Sequence, residues 1–113
     1  FDENEYILLL TLKAGEHTGS RVSDVDVFRI RNAMPHLAET LKKSLRPGDA
    51  VAQFSDSQYV ILLSACTYEG GMLAANRIIS KFYQDHKVYR NLKIKIHIEK
   101  VKTAENILNK YSG

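Results

Sequence analysis

The chain has few of the residues that hold small secreted or membrane proteins together. Its 113 residues include one cysteine, Cys66, two prolines and no tryptophan. One cysteine cannot form an internal disulfide, which favours a reducing, cytoplasmic location. No apolar run approaches the roughly 18 residues that a membrane-spanning helix needs, and the acidic start after Phe1 has no signal-peptide pattern. We therefore expect no contact with a membrane.

Sequence motifs for catalysis and for tightly bound cofactors are also missing. The chain contains neither a GxxxxGKS or GxxxxGKT loop nor a GxGxxG loop. Its four histidines, which lack zinc-site spacing, are His17, His36, His86 and His97. The spacing does not decide whether the fold brings any of them together. Ser55 and Ser57 flank Asp56, but no histidine is placed to complete a nucleophilic triad, and Cys66 is interpreted as a buried small residue. We expect no catalytic residue, no metal site and no cofactor.

Length and composition favour one globular domain covering residues 1–113. The chain is 44% hydrophobic and 26% charged, and its length suffices for one core but not for two. Because it begins with Phe1 rather than methionine, we interpret it as a piece of a longer protein. The net charge of +3 is uneven: from His86 onward, seven lysines and arginines outnumber two glutamates by five, so the rest carries −2. A basic end can contact nucleic acid or an acidic partner, although a solvated surface is the simpler interpretation.

Hydrophobic periodicity predicts a strand followed by a long helix. Residues 6–12, "YILLLTL", are almost continuously apolar, which is typical of a strand buried on both sides in the middle of a sheet. A capping box of Ser23 and Asp26 then begins a helix. One apolar stripe follows, at Val27, Ile30, Met34, Leu37, Leu41 and Leu45. We expect Pro35 to point outward and to kink this helix or divide it into two.

The remaining chain predicts a hairpin, a second helix, an edge strand and a short terminal helix. The hairpin arms span 49–54 and 59–64, and the second arm, "YVILLS", is apolar enough to be central. The second helix spans 67–84, and its inner face consists of Met72, Ala75, Ile79 and Phe82. Strict alternation over 92–101 is typical of an edge strand, with inward residues Leu92, Ile94, Ile96 and Ile98. A short helix capped by Thr103 closes the chain.

The element order β-α-β-β-α-β favours an α+β, ferredoxin-like sandwich with a four-stranded sheet. Right-handed crossovers and short connections place the strands in the order 4-1-3-2, with antiparallel neighbours and both helices on one face. The apolar pattern supports this arrangement independently, because the two most apolar strands, the first and the third, then occupy the centre.

The region around the hairpin is similar to a known bacterial family. The segment "LKKSLRPGDAVAQFSDSQYVILLSACTYEGGMLAANRI" resembles the core of GGDEF domains, the bacterial diguanylate cyclases, without a gap from Arg46 to Ser64. The five signature positions fall on Ser55, Asp56, Ser57, Gln58 and Tyr59. The resemblance implies a ferredoxin-like fold of the nucleotide-cyclase type and a single, degenerate GGDEF-like domain.

The residues that a working cyclase of this family requires are replaced. The resemblance implies two carboxylate ligands for magnesium, at positions where this chain has Ser57 and Thr11. Both signature glycines, which let the nucleotide approach, are replaced by Ser55 and Asp56. Asp56 is one residue out of register for the metal, so we interpret it as a turn residue that bonds its own backbone. The chain is therefore expected to have no cyclase activity and to bind GTP weakly or not at all.

A second motif of the family is present at the turn before the hairpin. Arg46 and Asp49 match the "RxxD" motif of this family. The resemblance implies that this motif binds cyclic di-GMP. The same residues, in "RPGD", are also suited to a plain turn after a helix. With no active site to inhibit, we favour the plain turn.

The altered hairpin indicates a closer resemblance. "SLRPGDAVAQFSDSQYVILL", followed by "TYEGG" and "RIISKFY", resembles the C-terminal region of some bacterial SARP-type transcriptional activators. These join a DNA-binding winged helix and a bacterial transcriptional activator domain to a degenerate GGDEF-like domain. The resemblance implies a non-catalytic regulatory, sensing or self-association domain, whose partners are other domains of the parent regulator or a second copy. DNA is then bound only through a domain outside this chain. The 55–58 hairpin is either a recognition loop or a turn stabilised by Gln58.

Two other functions stay open. One is a receptor that binds GTP or cyclic di-GMP without turnover. The other is an RNA- or DNA-binding module, because some ferredoxin-like domains stack bases on aromatic residues of the central strands. Here those strands offer Tyr6 and Tyr59, and Lys93, Lys95 and His97 supply a basic surface on the exposed side of the last strand.

Overall fold

Four antiparallel strands form one sheet, and two helices pack against it. The computed structural model describes residues 4–15 and 23–101. The elements are β1 (Asn4–Lys13), α1 (Asp24–Ser44), β2 (Ala50–Ser55), β3 (Gln58–Cys66), α2 (Tyr68–Asp85), a short 3-10 helix (Lys87–Tyr89) and β4 (Lys93–Lys100). The strand order is β2-β3-β1-β4, which is the predicted order read from the other edge. The predicted helix capped by Thr103 lies outside the described residues.

The central strand β1 has two unequal faces. On one face, Tyr6, Leu8, Leu10 and Leu12 are at most 5% exposed. Both helices contact β1 and each other, so they share this covered face. The alternate residues Ile7 and Leu9 are only half-buried, because no helix in residues 23–101 covers the other face. The prediction that β1 is buried on both sides is therefore wrong for the described part of the chain, although its central position is confirmed.

Helix α1 begins as predicted and runs without a break through its proline. The Ser23 hydroxyl accepts from the Asp26 backbone N–H at 3.1 Å, and the Asp26 carboxylate accepts from the Ser23 N–H at 3.4 Å. This reciprocal pair satisfies two backbone donors at the helix start. Pro35 is exposed, as expected, and α1 is one helix rather than two. Val27 is 41% exposed instead of buried, because it lies about 80° from the centre of the buried stripe near Leu37.

Helix α2 buries Ala75 and Phe82 as predicted, but Gly71 and Ile78 take the places of the other two predicted residues. Its buried residues are Gly71, Ala75, Ile78 and Phe82, whereas the predicted Met72 and Ile79 are only half-buried. The cause is Gly71, where an added Cβ would lie 2.5 Å from the Ile98 Cδ1 atom. The helix backbone therefore packs directly on β4 at this glycine, which turns Ile78 rather than Ile79 toward the sheet.

The ends of the other elements agree with the prediction to within about two residues. Thr67 caps α2 by accepting from the Gly70 N–H at 3.0 Å. β4 lies at the edge of the sheet and alternates as predicted, with Lys93, Lys95 and His97 exposed and Leu92, just before it, fully buried. In residues 4–15 and 23–101, neither α1 nor α2 is apolar enough over its length to cross a membrane.

Candidate functional site

The sheet face opposite the helices, here called the open face, carries three rows of cross-strand neighbours. The first row is Ala50, Leu62, Ile7 and Glu99, the second is Ala52, Val60, Leu9 and His97, and the third is Ser55, Gln58, Thr11 and Lys95. The first two rows are apolar across β2, β3 and β1 and end in a charged or polar residue on β4. The third row is polar throughout and contains the tip of the hairpin.

The polar row is joined by side-chain hydrogen bonds. The Ser55 hydroxyl donates to Gln58 Oε1 at 2.9 Å, and Gln58 Nε2 donates to the Thr11 hydroxyl at 3.1 Å. Ser55 Oγ also accepts from the Ser57 backbone N–H at 3.3 Å. Gln58 therefore uses both ends of its amide to tie the hairpin to β1. Of the two interpretations of the 55–58 hairpin, this geometry favours the turn stabilised by Gln58.

The other two hairpin residues face different surroundings. The Ser57 carbonyl accepts from the Leu12 N–H at 2.8 Å, which anchors the turn to β1 through the backbone. The Asp56 carboxylate lies 3.5 Å from Nη2 of Arg31 on α1, and both side chains are well exposed. We interpreted Asp56 as a turn residue that bonds its own backbone. In the structure its carboxylate instead forms an ion pair with α1. Since α1 packs on the covered face, Asp56 points away from Thr11.

The positions at which the resemblance implies metal ligands come close together in the fold. Thr11 and Gln58 are paired across β1 and β3, and Ser57 immediately precedes Gln58. Their side chains offer hydroxyl and amide groups, without the paired carboxylates that hold magnesium. The one carboxylate of the hairpin, Asp56, is paired with Arg31. The residues present at this row therefore do not fit a magnesium ion.

The turn between α1 and β2 is held by a nearly buried carboxylate. The Asp49 side chain is 2% exposed. Its Oδ1 accepts from the Ser64 N–H at 3.0 Å and the Ser64 hydroxyl at 3.3 Å, and its Oδ2 accepts from the Arg46 N–H at 3.0 Å. Arg46 adds an ion pair to Asp49 at 3.4 Å and a hydrogen bond from Nη2 to the Ser64 carbonyl at 2.6 Å. Arg46 and Asp49 therefore connect the α1–β2 turn to β3 by hydrogen bonds. This is the structural role expected of the plain turn that we favoured from the sequence.

The electrostatics of this turn keep Asp49 ionised. Burial alone raises the pKa of the Asp49 carboxyl, but the hydrogen bonds from the Ser64 and Arg46 backbones and the Arg46 guanidinium outweigh it. The pKa of Asp49 consequently lies below its ordinary value. A carboxylate with its oxygens already occupied in this way has little capacity left for a guanine edge.

A pocket of about 290 Å³ lies between this turn and α2. Two arginines, Arg46 and Arg77, line it together with the apolar side chains of Leu63, Leu73 and Ile78. Arg46 and Arg77 bring positive charge to a partly apolar pocket, which favours an anionic ligand. Sequence reasoning identified Arg46 but missed Arg77, which the helix α2 brings to the same pocket.

The basic strand surface is present, but the aromatic residues expected beside it are not. Lys93, Lys95 and His97 are exposed on β4, with the His97 imidazole 3.9 Å from the Glu99 carboxylate. Tyr6 and Tyr59 are 5% and 7% exposed, because both point to the covered face. The Tyr59 hydroxyl donates to the Met34 carbonyl at 2.9 Å, and burial raises the pKa of Tyr59. Neither ring can stack on a base at the open face.

Two histidines that the sequence separates are brought together by the helices. The rings of His36 on α1 and His86 at the end of α2 have centroids 4.7 Å apart. Glu39 follows His36 by three residues on the same helix, so both side chains lie on one side of α1. This His-x-x-Glu spacing was the local signal for the cluster, and its third member, His86, is visible only in the fold.

No protein-family profile matches the chain, and no curated protein has a sequence that matches it. We therefore base the functional proposal on the geometry of the open face, the hairpin and the Asp49 turn, together with the resemblance of residues 46–64 described above.

Proposed function

We propose that this chain is a non-catalytic regulatory domain that self-associates through the open face of its sheet. The observation that carries the proposal is the pair of apolar rows across three strands, which no helix in the described part of the chain covers. The resemblance of residues 46–64 supports a place in a cytoplasmic bacterial transcription regulator of the SARP type, with DNA bound by another domain. It also supports a ferredoxin-like assignment for the α+β fold.

The side chains at the hairpin support the proposed lack of catalysis. Thr11 and Ser57 offer no charged ligand for a magnesium ion, and the polar row is already satisfied by internal hydrogen bonds. Incubation with GTP and Mg²⁺ or Mn²⁺ should yield no more cyclic di-GMP than a protein-free control. Turnover that disappears on Ser57→Ala would overturn this part of the proposal.

A second copy of the chain is the occupant that fits the open face. A twofold axis parallel to the strands, between two such faces, places β1 of one copy over β3 of the other and β4 over β2. The large side chains of the centre, such as Leu9 and Val60, then meet each other. The long side chains of β4 lie over the small residues of β2 in the same rows, with Glu99 over Ala50, His97 over Ala52 and Lys95 over Ser55. A twofold axis perpendicular to the strands would instead set β4 against β4 and β2 against β2, so that long side chains meet long ones and the small residues of β2 leave a gap.

The size of the face predicts a weak dimer. Four strands at about 4.8 Å and three rows at about 6.8 Å give roughly 400 Å² for each copy. The total of about 800 Å² is below the roughly 1,200 Å² of a standard stable interface. Association should therefore be concentration-dependent, which suits a regulatory contact whose strength depends on local concentration in the parent protein.

Sedimentation equilibrium over a concentration series tests the proposal. The weight-average mass of the wild-type chain should rise with concentration, and Leu9→Lys should hold the chain at the monomer mass by burying an unpaired charge at the centre of the face. The matched control is Leu73→Lys, the same change on the helix side, where Leu73 is 68% exposed. It should leave association unchanged.

A milder variant separates loss of association from loss of folding. Leu9→Thr keeps a residue that favours strands and should weaken association without a loss of the cooperative unfolding transition. A wild-type chain that stays monomeric throughout, or association equal to wild type in Leu9→Lys, would contradict self-association through this face.

The pocket beside the Asp49 turn supports a second candidate function, binding of a nucleotide such as cyclic di-GMP without turnover. Its specific support is the placement of Arg46 and Arg77 on one apolar pocket. We rank it second because Asp49 is occupied within the protein. Calorimetry with GTP and cyclic di-GMP should show no micromolar binding, whereas binding lost in Arg77→Ala, which leaves the turn intact, would favour this candidate.

A further inference from the structure

One nitrogen of His36, one nitrogen of His86 and one carboxylate oxygen of Glu39 all lie within 4.8 Å of one another. The three residues come from two elements: His36 and Glu39 from α1, and His86 from the C-terminal cap of α2. Glu39 is exposed and the two histidines are half-buried, so the cluster lies at the surface with one side in the protein. It shares no residue with the hairpin or with the pocket at the Asp49 turn.

One nitrogen of this cluster also lacks a hydrogen-bond partner among the described residues. Nδ1 of His36 is buried and makes no hydrogen bond with any residue in the described part of the chain. A buried polar atom without a partner costs stability, and such an atom in a folded protein requires an explanation. A bound ion is one of the explanations that fit an imidazole nitrogen.

We propose that His36, Glu39 and His86 form a binding site for a divalent transition metal ion, with zinc as the reference ion. Two imidazole nitrogens and one carboxylate oxygen are a donor set that zinc accepts, and a fourth position stays open to water or a ligand. Imidazole donors favour zinc, copper or nickel over magnesium and calcium, which prefer oxygen donors. The proposal does not depend on the self-association proposed above.

The distances allow the three donors to close on one ion. Donors at about 2.0–2.2 Å from a tetrahedral zinc are about 3.3 Å from each other, so the largest separation here has to shrink by about 1.5 Å. Glu39 is exposed, so its side chain can change rotamer without displacing a core residue.

The surroundings of the two imidazoles hold them in place. The Phe82 ring, which is fully buried, lies 5.5 Å from the His86 ring, and the Tyr89 ring lies 5.8 Å from the His36 ring. Phe82 and Tyr89 are nearly parallel to each other. This apolar backing limits water on the inner side of the cluster, which strengthens electrostatic attraction to a cation.

A metal at this position links the end of α2 to the middle of α1. Because the two ligating histidines belong to different helices, binding requires the folded state and should stabilise it. Zinc should therefore raise the thermal unfolding midpoint of the whole chain, and magnesium at the same concentration should not. Cobalt in place of zinc should give the visible absorption bands of a tetrahedral site.

Zinc titration of chelator-treated protein against a chromogenic competitor tests the site. We expect one equivalent of zinc to bind, with affinity at least about tenfold weaker in Glu39→Gln and in His86→Gln. Glu39→Gln changes an exposed residue and should fold normally, so it keeps the test valid if His86→Gln loses stability. The matched control is His97→Gln, which removes an exposed histidine from β4 and should leave affinity unchanged.

Three results would overturn the proposal. They are the absence of saturable zinc binding below millimolar concentration, zinc affinity in Glu39→Gln and His86→Gln equal to wild type, and a loss in His97→Gln as large as in His86→Gln. The last two outcomes would show that zinc binds elsewhere on the surface.

Discussion

The two faces of β1 differ although the sequence makes them almost equally apolar. Leu8 and Leu10 are fully buried under the helices, whereas Ile7 and Leu9 keep part of their surface exposed on the open face. The residues of both faces belong to one continuous apolar run. The covered face forms the core, and the apolar residues of the open face are not part of that core. We infer that their apolar character serves association.

The largest expected effect compares these two faces directly. Leu10→Ala should lower the free energy of unfolding by about 2–5 kcal/mol, because it leaves a cavity among fully buried side chains. Leu9→Ala should cost markedly less, since its side chain is already partly in contact with water. Urea denaturation of both variants measures the difference, and equal losses would show that the open face is covered in the folded protein.

The next effect concerns the Asp49 turn. Asp49→Asn should cost about 1–3 kcal/mol, because a nearly buried carboxylate that accepts several hydrogen bonds is replaced by an amide that leaves some donors unpaired. The exposed ion pair of Asp56 provides the control: Asp56→Asn should have little effect on stability.

The pH dependence of the same turn has a definite sign. Because the folded-state pKa of Asp49 is lowered, its charged form stabilises the protein above the ordinary pKa near 3.8. This contribution is lost as the pH falls through the lowered folded-state pKa. The stability difference between wild type and Asp49→Asn should therefore be constant near neutral pH and shrink below about pH 3.8. A difference that grows on acidification would contradict the assignment.

A smaller effect is expected at the hairpin. Gln58→Ala should reduce stability by about 1 kcal/mol, because it removes the hydrogen bonds to Ser55 and Thr11. It should weaken self-association far less than Leu9→Lys does, because Gln58 lies in the polar row and not in the two apolar rows. Gln84→Ala, at an exposed position of α2, is the matched control for stability. Unchanged stability together with weakened association would restore the interpretation of the hairpin as a recognition loop.

The smallest effect is expected for nucleic acid. The described central strands carry no aromatic side chain on the open face, so the basic residues of β4 lack a stacking surface. Filter binding with single-stranded RNA and DNA should detect no salt-sensitive affinity in the wild type. If it does, and Lys93→Glu with Lys95→Glu abolishes it, the nucleic-acid alternative is favoured.

The sequence was sufficient to predict features that depend on local pattern. The Ser23–Asp26 cap, the element order and the edge position of β4 follow from spacing and alternation, and all three are confirmed. The burial of α2 could not be predicted in the same way, because Gly71 packs closely on Ile98 only in three dimensions. A glycine in a helix otherwise indicates only weaker helix formation.

In the candidate sites too, residues within one short segment could be predicted, whereas contacts between distant segments could not. The Asp49 turn and the hairpin residues were identified from the sequence, since each lies within a short segment. The partner of Asp56, Arg31, and the additional arginine of the pocket, Arg77, come from other elements. The fold also had to bring His86 to His36, because 50 residues separate them in the chain.

The most direct test of self-association through the open face is solvent paramagnetic relaxation of side-chain methyl groups, measured in dilute and concentrated wild-type protein. The account predicts that the methyl groups of Leu9 and Val60 lose solvent accessibility at high concentration, while those of Leu73 and Val88, which are 68% and 73% exposed elsewhere, keep theirs. Unchanged accessibility of Leu9 and Val60, or protection of Leu73 or Val88 instead, would contradict it.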